Sequence, residues 1–189
     1  MTTSDIQLII KCQDGDQAAF KTLVEKHQSY AYTLAFRLLW HQQDAEDIVQ
    51  EAFVRVWKHI GRFERQKKFT TWLWQIVVRL CYDCLKSRKR KKRFLSFQSN
   101  DLNPDHLISV EQSDQHNERL YDLKKALKNL SPKQKLVFTL RDLHDFSIDQ
   151  VVSLTGLSPG SVKTNLYHAR KSIRKQLTSD EVNNDLSSL

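Results

Sequence analysis

FTTWLWQIVVRLCYDCLKSRKRKKR, residues Phe69 to Arg93, changes character at Lys86. Before that point Trp72, Ile76, Leu80 and Cys84 recur at helical spacing, as do Leu73, Val77 and Cys81. Gln75, Arg79, Asp83 and Lys86 fall on one narrow polar stripe, so the spacing predicts a helix buried over most of its surface. From Lys86 to Arg93, seven of eight residues are basic, and only Ser87 is not. Like charges this dense repel along a helix and do not stabilise it. Two readings of the run stay open: a solvated basic linker, or a contact with a polyanion whose counterions the cations displace. Attachment to an aromatic-rich helix favours nucleic acid, because exposed aromatic faces stack on unpaired bases.

Upstream, Ser4 to Cys12 predicts a short amphipathic helix that ends near Asp14-Gly15-Asp16. From Gln17 to Leu39 one apolar stripe carries Phe20, Leu23, Val24, Ala31, Leu34, Ala35 and Leu38, interrupted by His27. A partly buried, hydrogen-bonded histidine is expected there rather than a ligand. The next helix is expected from Asp44, as its cap, to Ile60. Its outer face holds Asp44, Glu46, Asp47, Gln50 and Glu51, with no base before Arg55. That face is either ordinary and solvated or a protein-binding surface; against DNA phosphates it would be repelled. A polar, basic loop from Gly61 to Lys68 then carries Phe63 and feeds the helix beginning at Phe69.

Downstream, residues 94–117 contain no Lys or Arg and include Asn103-Pro104-Asp105, which reads as a linker and domain boundary. Leu120, Leu123, Leu127 and Leu130 mark a further helix, and Ser131-Pro132 starts another with a serine cap and proline at the first helical position. Ser147 with Gln150 reads as a capping box for a short helix, Thr155-Gly156-Leu157 as a tight turn, and Ser158-Pro159 as the start of a second helix. On that helix Val162, Leu166, Ala169 and Ile173 face inward, while Lys163, Thr164, Asn165, His168, Arg170 and Lys171 are polar. A short helix, a glycine turn and a cationic second helix make a helix-turn-helix, whose second helix enters the major groove.

The chain has 189 residues and a net charge of +8, unevenly spread. Residues 86–93 and 118–177 each carry +7, while residues 94–117 carry −4 and residues 178–189 carry −3. Two cationic regions around an acidic spacer suggest two contacts on one long anion. Gly15, Gly61, Gly156 and Gly160 form no phosphate-binding loop, and the acids are dispersed or confined to one face, so no enzyme, cofactor or small-molecule substrate is expected. Cys81 and Cys84 have redox or metal spacing but lack further ligands and sit on an apolar face, so they read as core and no metal site is expected. An odd cysteine count, no bilayer-length apolar run and no signal-peptide pattern lead to the expectation of a cytoplasmic protein without membrane insertion.

The expected architecture is all-α, with two small helical domains. These are an N-terminal helical bundle at 1–93 and a helix-turn-helix domain at 118–177, joined by a flexible linker at 94–117 and followed by a loose acidic tail at 178–189. In that order the chain resembles a bacterial RNA polymerase sigma factor of the extracytoplasmic-function (ECF) type. GDQAAFKTLVEKH, DAEDIVQEAFVRVW and FTTWLWQIVVRLCYDCLK resemble the family's second conserved region, and residues 130–177 its fourth. The resemblance implies binding to core RNA polymerase through Asp44, Asp47, Gln50 and Glu51. It implies recognition of the promoter's minus-ten element, with a flipped base, by Phe63, Phe69, Trp74, Gln75 and Arg79, helped by Arg88 and Arg90. It implies reading of the minus-thirty-five element by Ser161, Lys163, Thr164, Asn165, His168, Arg170 and Lys171. Control by an anti-sigma factor is also implied. The alternative is a helix-turn-helix regulator that does not act through core polymerase.

Overall fold

The computed structural model describes residues 4–98 and 118–187. Helices α1 to α4 span Asp5–Gln13, Gln17–Leu39, Gln42–His59 and Phe69–Gln98; α5 to α8 span Glu118–Lys128, Pro132–Phe138, Ile148–Thr155 and Pro159–Ser187. No strand occurs among the described residues, as the all-α expectation requires. Two compact units form: Met1–Asp83 with Asp149–Leu157, and Cys84–Ile148 with Ser158–Leu189.

In the first unit, Ser4 caps α1 by accepting from the Gln7 amide. Gly15 then takes φ +90°, a conformation that side chains resist, and lets Asp16 cap α2 by accepting from the Ala19 amide at 3.0 Å. Trp40 ends α2 in the left-handed conformation, φ +54°, and donates its amide to the Phe36 carbonyl. Only Trp40 and His41 then separate α2 from α3. The cap of α3 is therefore His41, whose Nδ1 accepts from the Asp44 amide at 3.2 Å. Asp44, expected as the cap, lies in the first turn instead, where its charge still suits the helix dipole. Leu23, Leu34, Leu38, Val56, Leu73, Val77 and Val78 are fully buried, and each such residue contributes roughly 1.5–3 kcal/mol relative to exposure.

Helix α4 does not stop at residue 93 but continues to Gln98, so the basic run is helical. The rest of the expected linker, from residue 99 to 117, lies outside the described residues. In the second unit, α6 opens with a complete capping box: Ser131 Oγ accepts from the Gln134 amide, and Gln134 Oε1 from the Ser131 amide at 2.9 Å. After Phe138 the backbone widens into a π-helical turn, Thr139–Leu143, where the sequence reads as one uninterrupted helix. Asp145 at φ +54° then closes the corner. Helix α8 packs on α5 and α6 through Val162, Leu166, Ala169 and Ile173, all buried. Residues 178–187, expected as a loose tail, extend α8; Thr178 Oγ1 donates to the Arg174 carbonyl at 3.0 Å and carries the helix past Leu177.

Replacing Ser131 by alanine removes half of the capping box and should cost about 1 kcal/mol. Urea unfolding of the full chain checks this: the midpoint should fall while the slope stays unchanged.

Candidate nucleic-acid and protein interfaces

The outer face of α3 is acidic in space as in sequence. Glu46, Asp47, Gln50 and Glu51 are exposed and Asp44 is half-buried. Neighbours on the helix restrain most of them: Gln42 donates to Glu46 at 2.9 Å, Gln43 to Asp47 at 3.4 Å, and Arg55 to Glu51 at 2.7 Å. Beside this face runs an apolar groove of about 880 Å³ between α2 and α3. Phe20, Val24 and Tyr32 form one wall, Val49, Phe53 and Trp57 the other, and Glu46 and Gln50 stand at its edge. On α3, Phe53 is buried, as a core face requires, whereas Val49 and Trp57 are half-buried and open onto the groove. The missed signal is that apolar positions cover more of α3 than one contact with α2 can bury. An apolar trough whose lining holds one carboxylate, Glu46, and one ammonium, Lys58, suits an amphipathic partner.

The loop between α3 and α4 starts as a 3₁₀ turn, Ile60–Arg62. Phe63 and Phe69, at its two ends, point inward and are 8% and 3% exposed. Phe63 packs at 4.8 Å from Trp72 and 6.1 Å from Phe69, and Phe69 lies 5.1 Å from the His27 ring. Neither phenylalanine offers a face to an unpaired base in this conformation; both hold the loop from beneath. The reason is geometric: a long loop leaving a helical bundle needs an apolar anchor at each end. Trp74 is half-buried and stacks on Tyr30 at 5.0 Å, with 27° between ring planes. Tyr30 is 43% exposed and was not anticipated; its spacing places it off the apolar stripe of α2. Gln75 donates to the Ser153 carbonyl at 3.0 Å, within the same unit. Arg79 and Arg90 are exposed; Arg88 is half-buried, and burial lowers its pKa.

His27 is buried as expected, but its Nε2 lies 3.2 Å from Asp5 Oδ2 without hydrogen-bond alignment. Lys26 donates to the other oxygen of Asp5 at 2.6 Å. Burial pushes the Asp5 carboxyl up, and the Lys26 hydrogen bond together with His27 outweighs it, so the pKa falls below the ordinary 3.8.

On α8, Lys163, Thr164, His168 and Lys171 are exposed, and Ser161 and Asn165 are half-buried. Two expected DNA contacts are engaged within the chain. Asn165 Nδ2 donates to the Ser161 carbonyl at 2.8 Å. Arg170 grips Asp142 with a two-pronged bond, Nε to Oδ2 at 2.8 Å and Nη2 to Oδ1 at 2.6 Å, which raises the guanidinium's pKa. A groove of about 470 Å³ follows Lys163, Leu166, Tyr167, Arg170, Lys171 and Arg174. Tyr167, 62% exposed, was missed because an aromatic on a helix reads as core.

Cys12, Cys81 and Cys84 are thiols rather than disulfides, and burial raises the pKa of Cys12 and Cys84. No group of three or more His, Cys, Asp or Glu placed to hold a metal ion occurs among the described residues. No described helix is long and apolar enough to cross a membrane.

Two family models match the chain: Sigma-70 region 2 over residues 23–91 and Sigma-70, region 4 over residues 120–173. The ECF RNA polymerase sigma factor SigW of Bacillus subtilis is 28% identical over 184 residues, covering 89% of this chain and 94% of that protein. The ECF RNA polymerase sigma factor SigE of Mycolicibacterium smegmatis is 32% identical, covering 86% of this chain and 64% of that protein. Among solved structures, CnrH in complex with the cytosolic domain of CnrY has a TM-score of 0.64 at 23% identity, covering 93% of this chain and 98% of that one. RpoE in complex with the anti-sigma factor NepR from Bartonella quintana has a TM-score of 0.63 at 24% identity, covering 85% and 98%. These likenesses show the fold.

The Asp5 carboxylate yields a pH prediction. A lowered folded pKa means its stabilisation is fully present above the ordinary value of 3.8 and is lost as pH falls through the lower folded value. Asp5→Asn should therefore lose stability less steeply than the native chain in urea titrations from roughly pH 6 to pH 3. Parallel pH profiles would contradict it.

Proposed function

Because this chain belongs to the ECF sigma factors of the sigma-70 family, carrying regions 2 and 4 in order, we propose the following division of labour on its surface. The observation that carries it is the pairing of an apolar groove beside the acidic face of α3 in region 2 with a cationic recognition helix in region 4. The protein binds core RNA polymerase and directs it to a set of promoters. Asp44, Asp47, Gln50 and Glu51 flank the polymerase contact, and the groove lined by Phe53 and Trp57 takes its apolar part. The protein is an initiation factor rather than a catalyst, working in the cytoplasm, and the phosphoryl chemistry belongs to the polymerase.

The minus-ten element meets the loop and the first half of α4. Phe63 and Phe69 supply the floor, the Trp74–Tyr30 stack and Arg79 the exposed surface, and Gln75 exchanges its Ser153 partner for a base edge. Flipping a base costs a few kcal/mol of stacking, which aromatic and polar contacts offset. Arg88 and Arg90 neutralise phosphates of the strands as they part. The minus-thirty-five element lies against Lys163, Thr164, His168 and Lys171, with Ser161, Asn165 and Arg170 behind them. Residues 1–93 and 118–177 serve as the two working modules. CnrH and RpoE are each held by a partner, the cytosolic domain of CnrY and the anti-sigma factor NepR. A comparable anti-sigma factor, competing for the α2–α3 groove, is part of this reading.

Run-off transcription with purified core polymerase tests it. The native chain should give promoter-dependent transcripts. Asp47→Lys combined with Glu51→Lys should lose most transcription and core binding while keeping duplex binding to the minus-thirty-five element. Transcripts unaffected by the double reversal would remove α3 from the polymerase contact.

A further inference from the structure

The side chain of Gln13, the last residue of α1, reaches across to the loop some fifty residues further along the chain. Its Nε2 donates to the backbone carbonyls of Ile60 and Phe63, both at 3.0 Å. Its Oε1 accepts from Arg65, from Nε at 3.0 Å and Nη2 at 2.8 Å. Both ends of one amide are used, on three residues of one loop. Within the loop, the backbone bonds are Phe63 to Ile60 and Lys67 to Glu64, and Glu64 to Lys68 are all exposed. One side-chain bond, Lys67 Nζ to Glu64 Oε1 at 3.0 Å, joins them, and the ties to the rest of the bundle come from Gln13.

From this geometry we infer that Gln13 is a positioning residue for minus-ten recognition, and that the residue it aims is Arg65, a phosphate contact for the opened strand. The inference rests on the reading of this loop as the minus-ten surface. The two carbonyl bonds fix the backbone from Ile60 to Phe63, which sets where the exposed tip stands. The Oε1 bond takes one edge of the guanidinium. A guanidinium has five donors in a rigid fork, so the outer edge of Arg65 stays available and is held in direction. Lys67 and Lys68 follow it on the same exposed tip. A loop serving only to close the core would need its two buried phenylalanines but not an aligned cation between them. A fixed donor array avoids the cost of ordering a flexible loop on binding, so its benefit appears in affinity and selectivity for the ligand.

The test uses the full chain in holoenzyme with core polymerase. The probe is a labelled single-stranded oligonucleotide spanning the non-template minus-ten segment of a promoter it transcribes, beside a copy with one base exchanged. Gln13→Met, which keeps the length and removes both polar ends, should weaken cognate binding by roughly tenfold. It should also bring the affinities for the two oligonucleotides together, while core binding stays unchanged. Arg65→Met should weaken both oligonucleotides equally and reduce the salt dependence of binding. Combined, the two changes should cost less than the product of their separate effects, because Gln13 acts partly through Arg65. A Gln13→Met chain that melts earlier but binds and discriminates like the native one would overturn the inference and leave Gln13 as packing only. If Arg65→Met with Lys67→Ala binds both oligonucleotides like the native chain, the loop is not the minus-ten surface, and the premise itself fails.

Discussion

A helix cannot bury the same turn that it offers to a polyanion, and the arrangement of this protein follows from how α4 meets that constraint. Leu73, Val77, Cys81 and Leu85 are buried at four-residue intervals, and from Lys86 to Arg93 only Arg88 is as much as half-buried. Those eight residues hold seven cations. Separating the two functions along the axis lets the apolar half hold the bundle together while the cationic half stays hydrated until phosphates replace the water. Helix continuity to Gln98 gives the charges a fixed spacing that a coil would lack.

The helices were legible because their signals are local. The apolar stripe of α8, the serine caps at Ser131 and Ser158 and the helix end at Asp14-Gly15-Asp16 each act within a few residues, and these appear in the structure where the sequence put them. The failures at helix ends have a common cause. Asp44 looks like a cap when judged by its own turn, but the two-residue connection from α2 forces α3 to begin earlier, and His41 takes the role. The π-helical turn after Phe138 is equally invisible, since Leu140 and Leu143 keep a helical period across it.

The interfaces were legible in charge and less so in geometry. The acidic face of α3 and the cations of α8 could be named from spacing alone, because surface charge needs no partner to be recognised. Aromatic residues were ambiguous. Phe63 and Phe69 look like stacking faces and turn out to be anchors, whereas Tyr30 and Tyr167 look unremarkable and are exposed. Composition cannot separate the two fates, since a ring serves a core and a base equally well. Long-range polar pairs were out of reach altogether. Arg170 and Asp142 are 28 residues apart, and Gln13 and Arg65 are 52 apart. Only the fold brings them within hydrogen-bonding distance.

In the proposed division of labour the three surfaces also differ in the physics of binding, which would give the protein a way to order its steps. The α2–α3 groove is mainly apolar, and apolar contact survives added salt; the basic end of α4 and the face of α8 rely on counterion release and weaken steeply with it. Charge alone attracts any DNA, so the cationic segments cannot by themselves choose a promoter. Selection has to come from the few uncharged or directional groups set among the cations: Thr164 and His168 on α8, and the Trp74–Tyr30 stack on the other unit. Such groups contribute only when their surroundings are held in place, and two ties beside them do this. Asp142 grips Arg170, and Gln13 ties down the loop through the carbonyls of Ile60 and Phe63. On the proposed reading, the residues that position the reading surface therefore matter for specificity as much as those that form it.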